Sequence, residues 1–205
     1  VNTISKDNDD IERKFFKDDF SVDSSGNYTG DVSNFTWDTV NKRLICSNVY
    51  GKYINIPIQN KSFCVTAVIS YSELGNSQTG FYVTIGGNNL KIYFLRQLGS
   101  ENNVHIYIYN HSKSKIIDYT TFTFDTTNNI KNRFGFEYNE LGYIRINTLD
   151  YVGPWKFIGG ELTNLSIITE GVTSYLEDLT ITPSISYSDN FSTDTTERYQ
   201  AVTGT

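Results

Sequence analysis

The octapeptide VHIYIYNH, residues 104–111, alternates aliphatic with aromatic or polar side chains from Val104 to Tyr109. Successive side chains of a β-strand point to opposite faces of the sheet, so this alternation predicts a strand with one face against a core. The inward set comprises Val104, Ile106 and Ile108. The outward set, available to solvent or to a ligand, comprises His105, Tyr107, Tyr109 and His111.

The same period of two recurs wherever the chain is apolar, and Val, Ile, Thr, Phe and Tyr crowd these stretches. Clusters of Gly, Asn, Ser and Thr separate them, as turns do. The pattern predicts an all-β chain, a two-sheet antiparallel β-sandwich of the jelly-roll kind. The predicted strands are 43–47, 63–71, 80–85, 91–97, 104–110, 120–124, 133–138, 143–147, 162–168 and 176–182.

Composition narrows the classes of partner. With 205 residues, 38% hydrophobic and 15% aromatic, the chain can bury a substantial core. A net charge of -6 argues against binding to nucleic acid, which needs a basic surface. No stretch approaches the roughly 20 consecutive apolar residues of a membrane span, so no membrane insertion is expected. Neutral ligands fit this composition better.

An internal similarity predicts the domain boundaries. The segment DDFSVDSSGNY at 18–28 is echoed by DNFSTDTTERY at 189–199, with Asp, Phe, Ser, Asp and Tyr in register. The interval is too long for a solenoid repeat and suits one sandwich. We therefore expect a linker over 1–14, a sandwich domain over 15–186, and the start of a similar repeat, or a linker, over 187–205. Residues 8–17 are either linker or one turn of helix.

Residues near both ends carry a family resemblance. The Asp18-Asp19-Phe20 opening, Trp37 and Leu44 after it, and the closing segment YLEDLTIT at 175–182 together resemble the concanavalin A-like lectin/glucanase superfamily, in its laminin-G-like and carbohydrate-binding module type members. The resemblance covers about residues 15–183. It implies two curved antiparallel sheets, with the first strand beside the closing strand, and a glycan held on the concave face or the rim.

The resemblance also implies a structural calcium site near the paired terminal strands. The carboxylates that would supply hard oxygen ligands there are Asp18, Asp19, Glu177 and Asp178. The alternative is that these acids are solvated and discourage pairing at a sheet edge.

A glycan site needs flat aromatic surfaces and polar groups that hold hydroxyls. The outward side chains with this chemistry are His105, Tyr107, Tyr109, Tyr93 and Arg145, and Trp155 in a loop-like segment would extend the surface. Two alternatives stay open. The tyrosines can be strand formers on a solvated sheet, and Trp155 can plug an open end of the sandwich.

The sequence argues against catalysis. Glycosidases of this superfamily carry alternating acids on one strand, and the nearest candidate, Glu137-Tyr138-Asn139-Glu140, lacks the intervening Asp. Glu137 is interpreted as a solvated strand residue. The expected function is therefore non-catalytic binding of a glycan or polysaccharide surface. A purely structural spacer is the first alternative, and a glycoside hydrolase or lyase is the second.

Six Asn-x-Ser/Thr sequons are compatible with an exported protein, so we expect an extracellular, cell-surface or virion location in a larger protein with neighbouring domains.

Cys46 and Cys64 lie in successive predicted strands. Their positions allow either a disulfide between them or two free thiols.

Overall fold

The computed structural model describes residues 16–47, 51–58, 62–71, 77–96, 103–123, 132–148, 151–171 and 173–184. These ranges form strands and two short 3-10 turns, Ser25–Asn27 and Val32–Asn34. They contain no helix long and apolar enough to cross a membrane. The predicted linker 1–14 and the predicted repeat 187–205 lie outside the described residues, and so do 8–15 of the possible helical turn. Its last two residues, Phe16 and Lys17, are in a strand.

Fifteen strands are found in the described ranges. They are β1 (Phe16–Asp18), β2 (Thr29–Gly30), β3 (Thr36–Asp38), β4 (Arg43–Cys46), β5 (Tyr53–Asn55), β6 (Phe63–Tyr71), β7 (Ser77–Ile85), β8 (Asn88–Arg96), β9 (Asn103–Asn110), β10 (Lys115–Thr123), β11 (Asn132–Asn139), β12 (Tyr143–Thr148), β13 (Lys156–Phe157), β14 (Leu162–Gly171) and β15 (Ser174–Pro183).

The strands form two antiparallel sheets, and the predicted all-β sandwich is confirmed. The eight-stranded sheet has the order β13-β12-β11-β6-β15-β4-β3, with β1 paired to β15. The seven-stranded sheet has the order β10-β9-β8-β7-β14-β5-β2. Since β1 pairs with β15, Phe16 lies opposite Ile181 and Asp18 opposite Leu179. The first and last described strands therefore lie side by side.

The core fills the space between the two sheets. Along β6 the buried positions alternate with half-buried ones from Phe63 to Ile69, as the period of two predicts. Aromatic rings join the sheets directly. Phe81 of β7 packs on Phe134 and Phe136 of β11, with ring centroids 5.8 and 5.6 Å apart. Ile106 and Ile108 of β9 are buried, so these two predicted inward residues face this core.

Candidate functional site

Three neighbouring strands carry a row of tyrosines on the outer face of the seven-stranded sheet. Tyr107 on β9 lies opposite Tyr93 on β8 and Tyr119 on β10. The ring centroids are 5.3 Å apart for Tyr93 and Tyr107 and 6.1 Å apart for Tyr107 and Tyr119, with planes within 23° of parallel. Tyr119 lies on the edge strand and is 61% exposed. We call this row, together with His105 and Tyr109, the tyrosine face.

Polar groups surround the tyrosine row. His105 shares a hydrogen bond of 2.8 Å between its Nδ1 and Thr121 Oγ1. Tyr109 meets His111 edge to face, with centroids 5.0 Å apart. Burial, followed by the nearby Lys91 charge, lowers the pKa of His111. Burial, with the neighbouring tyrosines, raises the pKa of Tyr93 to about 12, so its phenol stays a hydrogen-bond donor at neutral pH.

An ion pair crosses this face beside the tyrosines. Lys91 on β8 lies opposite Tyr82 on one neighbouring strand and opposite Tyr109 on the other. Its side chain extends across β7 to Glu170 on β14, and the Nζ–Oε1 distance is 2.8 Å. Both side chains are largely covered, and such pairs fix side-chain positions more than exposed ones do. Tyr82 packs against Tyr53 of β5, with centroids 5.4 Å apart.

Neighbouring side chains on the outer face of the seven-stranded sheet cover one aliphatic residue almost completely. Ile167 belongs to the core, so its neighbour Ile168 on β14 points to the opposite side of the sheet. Ile168 is nevertheless only 2% exposed. The side chains of this face therefore form a packed layer over the central strands, which gives a ligand a preformed surface.

The predicted glycan residues do not form one site. Arg145 lies on β12 in the eight-stranded sheet and Trp155 just before β13, whereas His105, Tyr107, Tyr109 and Tyr93 lie on the seven-stranded sheet. Arg145 points away from the core, because Ile144 and Ile146 are buried in it. The outer faces of two packed sheets point in opposite directions, so the expected continuous surface is wrong for Arg145 and Trp155.

Arg145 is the centre of a separate polar network. Its Nε and Nη2 donate to Glu137 Oε2 at 2.8 and 2.6 Å, and Asn147 Nδ2 donates to Glu137 Oε1 at 2.6 Å. The guanidinium carbon is 4.4 Å from the centroid of the Trp155 ring. Glu137 is thus a largely covered, paired carboxylate, and its interpretation as a solvated strand residue is wrong. Trp155 is absent from the core, so it does not plug the sandwich.

Asp18, expected as a calcium ligand, is a buried structural group. It is 6% exposed and accepts hydrogen bonds from the Phe20 amide at 2.8 Å, from the Tyr28 hydroxyl at 2.7 Å and from the Ser24 hydroxyl. The Trp37 indole donates to Ser24 Oγ at 2.8 Å. Burial and this carboxylate raise the pKa of Tyr28. The carboxylate oxygens are therefore already used by protein donors.

The other predicted calcium ligands have separate surroundings. Asp178 forms ion pairs with Arg133 and, at 3.8 Å, with Lys17. Asp19 is exposed and accepts from the Ser21 amide, and hydrogen bonds to Ser21 lower its pKa. Glu177 lies on β15 beside Asp178. The described ranges contain no group of three or more His, Cys, Asp or Glu side chains that could hold a metal. Asp18 and Asp178 have different partners, and calcium binding near these strands stays a prediction.

The two cysteines are free thiols. Cys46 and Cys64 lie on β4 and β6, which flank β15, and they lie opposite Ser174 and Thr182 respectively. Eight residues of strand separate those two positions, about 25 Å at the usual rise, which is far beyond disulfide reach.

Sequence reasoning missed Tyr119, Lys91 and Glu170. The strand around Tyr119 was expected to begin at Thr120, whereas β10 begins at Lys115. A bulge between Ile116 and Asp118 interrupts the alternation there, which hides the strand from a period-two search. The Lys91–Glu170 pair joins residues distant in sequence, and no local signal could have found it.

Comparisons with known proteins support the fold. No family model matches the sequence, and no curated protein does. Among solved structures, the Bacteroides ovatus xyloglucan PUL protein GH43B is similar at a TM-score of 0.60 and 11% identity, over 82% of this chain and 39% of that chain. The GH43 protein BlXynB of Bacillus licheniformis is similar at a TM-score of 0.58 and 10% identity, over 82% and 39%.

A third likeness is to the ligand-binding domain of botulinum neurotoxin serotype D, solved in complex with N-acetylneuraminic acid. Its TM-score is 0.50 at 12% identity, over 78% of this chain and 43% of that chain. This chain thus spans less than half the length of each of these structures. At such low identity the likenesses show the fold alone, an all-β sandwich that also occurs within larger chains.

Proposed function

We propose that this chain is a non-catalytic carbohydrate-binding domain of a secreted or surface-displayed protein, with a concanavalin A-like sandwich. The tyrosine face is its glycan site. The observation that carries the proposal is the row Tyr93–Tyr107–Tyr119, with near-parallel rings and polar groups beside it. Aromatic rings cover the apolar C–H faces of a sugar, while the surrounding polar groups hold its hydroxyls.

Each part of the face has a role in this proposal. Tyr119 lies at the edge of the row and is largely exposed, so it supplies the main apolar contact and is the first ring that a ligand meets. Tyr107 is stacked between Tyr93 and Tyr119, so it supplies a ring edge and holds Tyr119 in place. The phenol of Tyr93 donates a hydrogen bond, and His105 donates or accepts according to its tautomer. The Lys91–Glu170 pair lies at the inner margin and carries no net charge, which favours an uncharged sugar.

The comparisons agree with a carbohydrate ligand, while the preference for an uncharged one draws on the charges of this chain alone. Two of the similar structures belong to GH43 proteins, and the third holds N-acetylneuraminic acid. A net charge of -6 disfavours anionic partners such as nucleic acid. The non-catalytic part of the proposal draws on Glu137, which is paired with Arg145 and Asn147, while Glu140 lies in the exposed turn between β11 and β12.

A glycan-array screen of the full chain tests the proposal. We expect saturable binding to a neutral glycan, which the substitution Tyr107→Ala weakens by about 1–3 kcal/mol, the scale of stacking on an aromatic ring. Folding should change only modestly, because Tyr107 lies outside the core. The matched control is Tyr175→Ala, a half-buried outward tyrosine on the other sheet, where Arg43 covers the ring at 3.9 Å.

Three results would count against the proposal. Normal binding by the Tyr107 variant would place the site elsewhere. Release of reducing ends from a polysaccharide panel would make the chain a glycoside hydrolase or lyase. The absence of glycan binding would favour a spacer in a surface fibre. That alternative draws on the sequence echo at 189–199, whose Asp189, Phe191 and Tyr199 repeat members of the Asp18 network.

A further inference from the structure

A second amphipathic surface runs along β12, on the eight-stranded sheet. Each outward residue of β12 has a neighbour from the segment 151–157. Tyr143 lies opposite Phe157, with ring centroids 4.9 Å apart. The guanidinium of Arg145 stacks on the Trp155 ring. Asn147 pairs with Val152 through an isolated antiparallel β-bridge. We call these three pairs the β12 strip.

The apolar half of the β12 strip is unusually open to solvent. Phe157 is 65% exposed, Val152 is 54% exposed and Trp155 is 37% exposed. The three lie in one short segment at the edge of the sheet. Clustered exposed apolar side chains mark a binding surface more often than scattered single ones do.

The polar half of the strip is held in place and has no net charge. Arg145 and Asn147 both donate to Glu137, and the Trp155 ring covers the guanidinium. The positive and negative charges are balanced within one hydrogen-bonded unit. An ion of either sign would gain little here, whereas a neutral ligand with hydroxyl groups and apolar faces complements both halves. The strip extends about 13 Å from Tyr143 to Asn147 at the usual strand rise, long enough for two or three linked sugar rings.

We infer that the β12 strip is a second site for an uncharged glycan chain, on the side of the sandwich opposite the tyrosine face. The inference rests on the proposed function for the class of ligand. The segment 151–157 contacts β10 through the Lys156–Asp118 ion pair at 3.6 Å, so the two surfaces lie on either side of one edge of the sandwich. Because their outer faces point in opposite directions, a straight sugar chain cannot lie along both, and two separate chains can. The domain is therefore bivalent and joins neighbouring polysaccharide chains.

The test uses the full chain and a soluble neutral polysaccharide selected on the glycan array. Light scattering reports cross-linking and calorimetry with a short oligosaccharide reports the number of sites. The variants are Tyr107→Ala for the tyrosine face, Trp155→Ala and Phe157→Ser for the β12 strip, and the double variant Tyr107→Ala/Trp155→Ala. Val40→Ser, a change at an exposed apolar residue outside both faces, is the control.

We expect two sites per chain and cross-linking by the native protein. Each single-face variant should keep one site at the native affinity and bind about ten-fold more weakly at the altered site, as expected for loss of one stacking contact, so that cross-linking needs about ten-fold more polysaccharide. The double variant should bind about ten-fold more weakly at both sites. Ligand should also change the tryptophan fluorescence of the Tyr107→Ala variant, in which only the strip keeps its native affinity.

Other outcomes would overturn the inference. If Tyr107→Ala abolishes all binding and Trp155→Ala has no effect, the strip is not a site, although the proposed function stands. If only the strip variants lose binding, the tyrosine face is not the site and the domain is not bivalent. If Phe157→Ser and Trp155→Ala dissociate a dimer seen by sedimentation without glycan, the strip binds a second copy of the chain. Absence of glycan binding by the native protein defeats the proposed function itself.

Discussion

Asp18 is a buried carboxylate whose hydrogen bonds stabilise the start of the sandwich. Its carboxylate is buried and accepts from a backbone amide and from the hydroxyls of Ser24 and Tyr28. The same strand pairs with β15, so these contacts attach the segment 20–28 to a strand that lies beside the last described one. Buried polar groups stabilise a fold only when their partners are present, and losing one partner is more costly than losing both.

Replacing Asp18 with Ala should therefore lower the free energy of unfolding by about 2–4 kcal/mol, because two buried hydroxyls would lose their acceptor. Urea denaturation of the full chain measures this change. The neighbouring Asp19→Ala is the matched control, since Asp19 is exposed and its hydrogen bonds go to Ser21 alone. Its effect should stay within about 0.5 kcal/mol. Equal effects of the two substitutions would contradict the assigned role of Asp18.

The two free thiols, Cys46 and Cys64, should be unreactive in the native protein. Burial raises the pKa of Cys46 to about 12, and burial with the nearby Glu137 raises the pKa of Cys64 to about 11. Since only the thiolate reacts, both should be almost inert towards a disulfide reagent at pH 8 in the native protein and reactive in denaturant. In the unfolded chain both thiols ionise near pH 9, whereas in the folded protein they stay protonated to a higher pH. The free energy of unfolding should therefore fall as the pH rises above about 9. Rapid native labelling at pH 8 would contradict this burial.

At the scale of strands, Gly80 determines how closely β7 and β8 approach under the tyrosine face. It lies opposite Tyr93, and a Cβ atom at this position would lie 2.2 Å from the Ile92 carbonyl oxygen. That contact is with backbone, so neither strand can relieve it by a side-chain rotation. A larger residue must push the two strands apart.

Gly80→Ala should accordingly destabilise the domain by about 1–3 kcal/mol, the usual range for overpacking, and should weaken glycan binding by displacing Tyr93. Thermal unfolding and the array ligand measure the two effects. Gly26→Ala is the control, because a Cβ there meets no atom within 4 Å. An unchanged midpoint in the Gly80 variant would show that the strands separate at little cost.

Within the described residues, the sandwich is complete between Phe16 and Ser184. Both sheets and the core between them are formed within 16–184, and β1 pairs with β15 inside that range. Removing 187–205 should therefore leave the thermal midpoint of the domain almost unchanged. Differential scanning calorimetry of the chain ending at residue 186 measures this. A large fall in the midpoint would show that the segment belongs to this fold and would contradict the predicted boundary.

Much of the sandwich could be predicted from local pattern. The strand β6 matches its predicted range, 63–71, and β12 differs by one residue, because alternation there is unbroken. Prediction failed at β10, where a bulge shifts the register, and at very short strands such as β13, which has two residues. Two residues cannot display a period, so pairing with β12 alone defines that strand.

The candidate site, like the fold, could be predicted only in part from the sequence. The sequence by itself determined that Tyr107, Tyr109 and Arg145 point away from the core, since alternation is a property of each strand alone. Only the tertiary structure decided that Arg145 and Tyr107 lie on opposite sides of the molecule. Which sheet a strand joins depends on pairing with distant segments, such as β11 with β6 and β7 with β14. Those pairings come from packing the whole core, and no short stretch of sequence contains them.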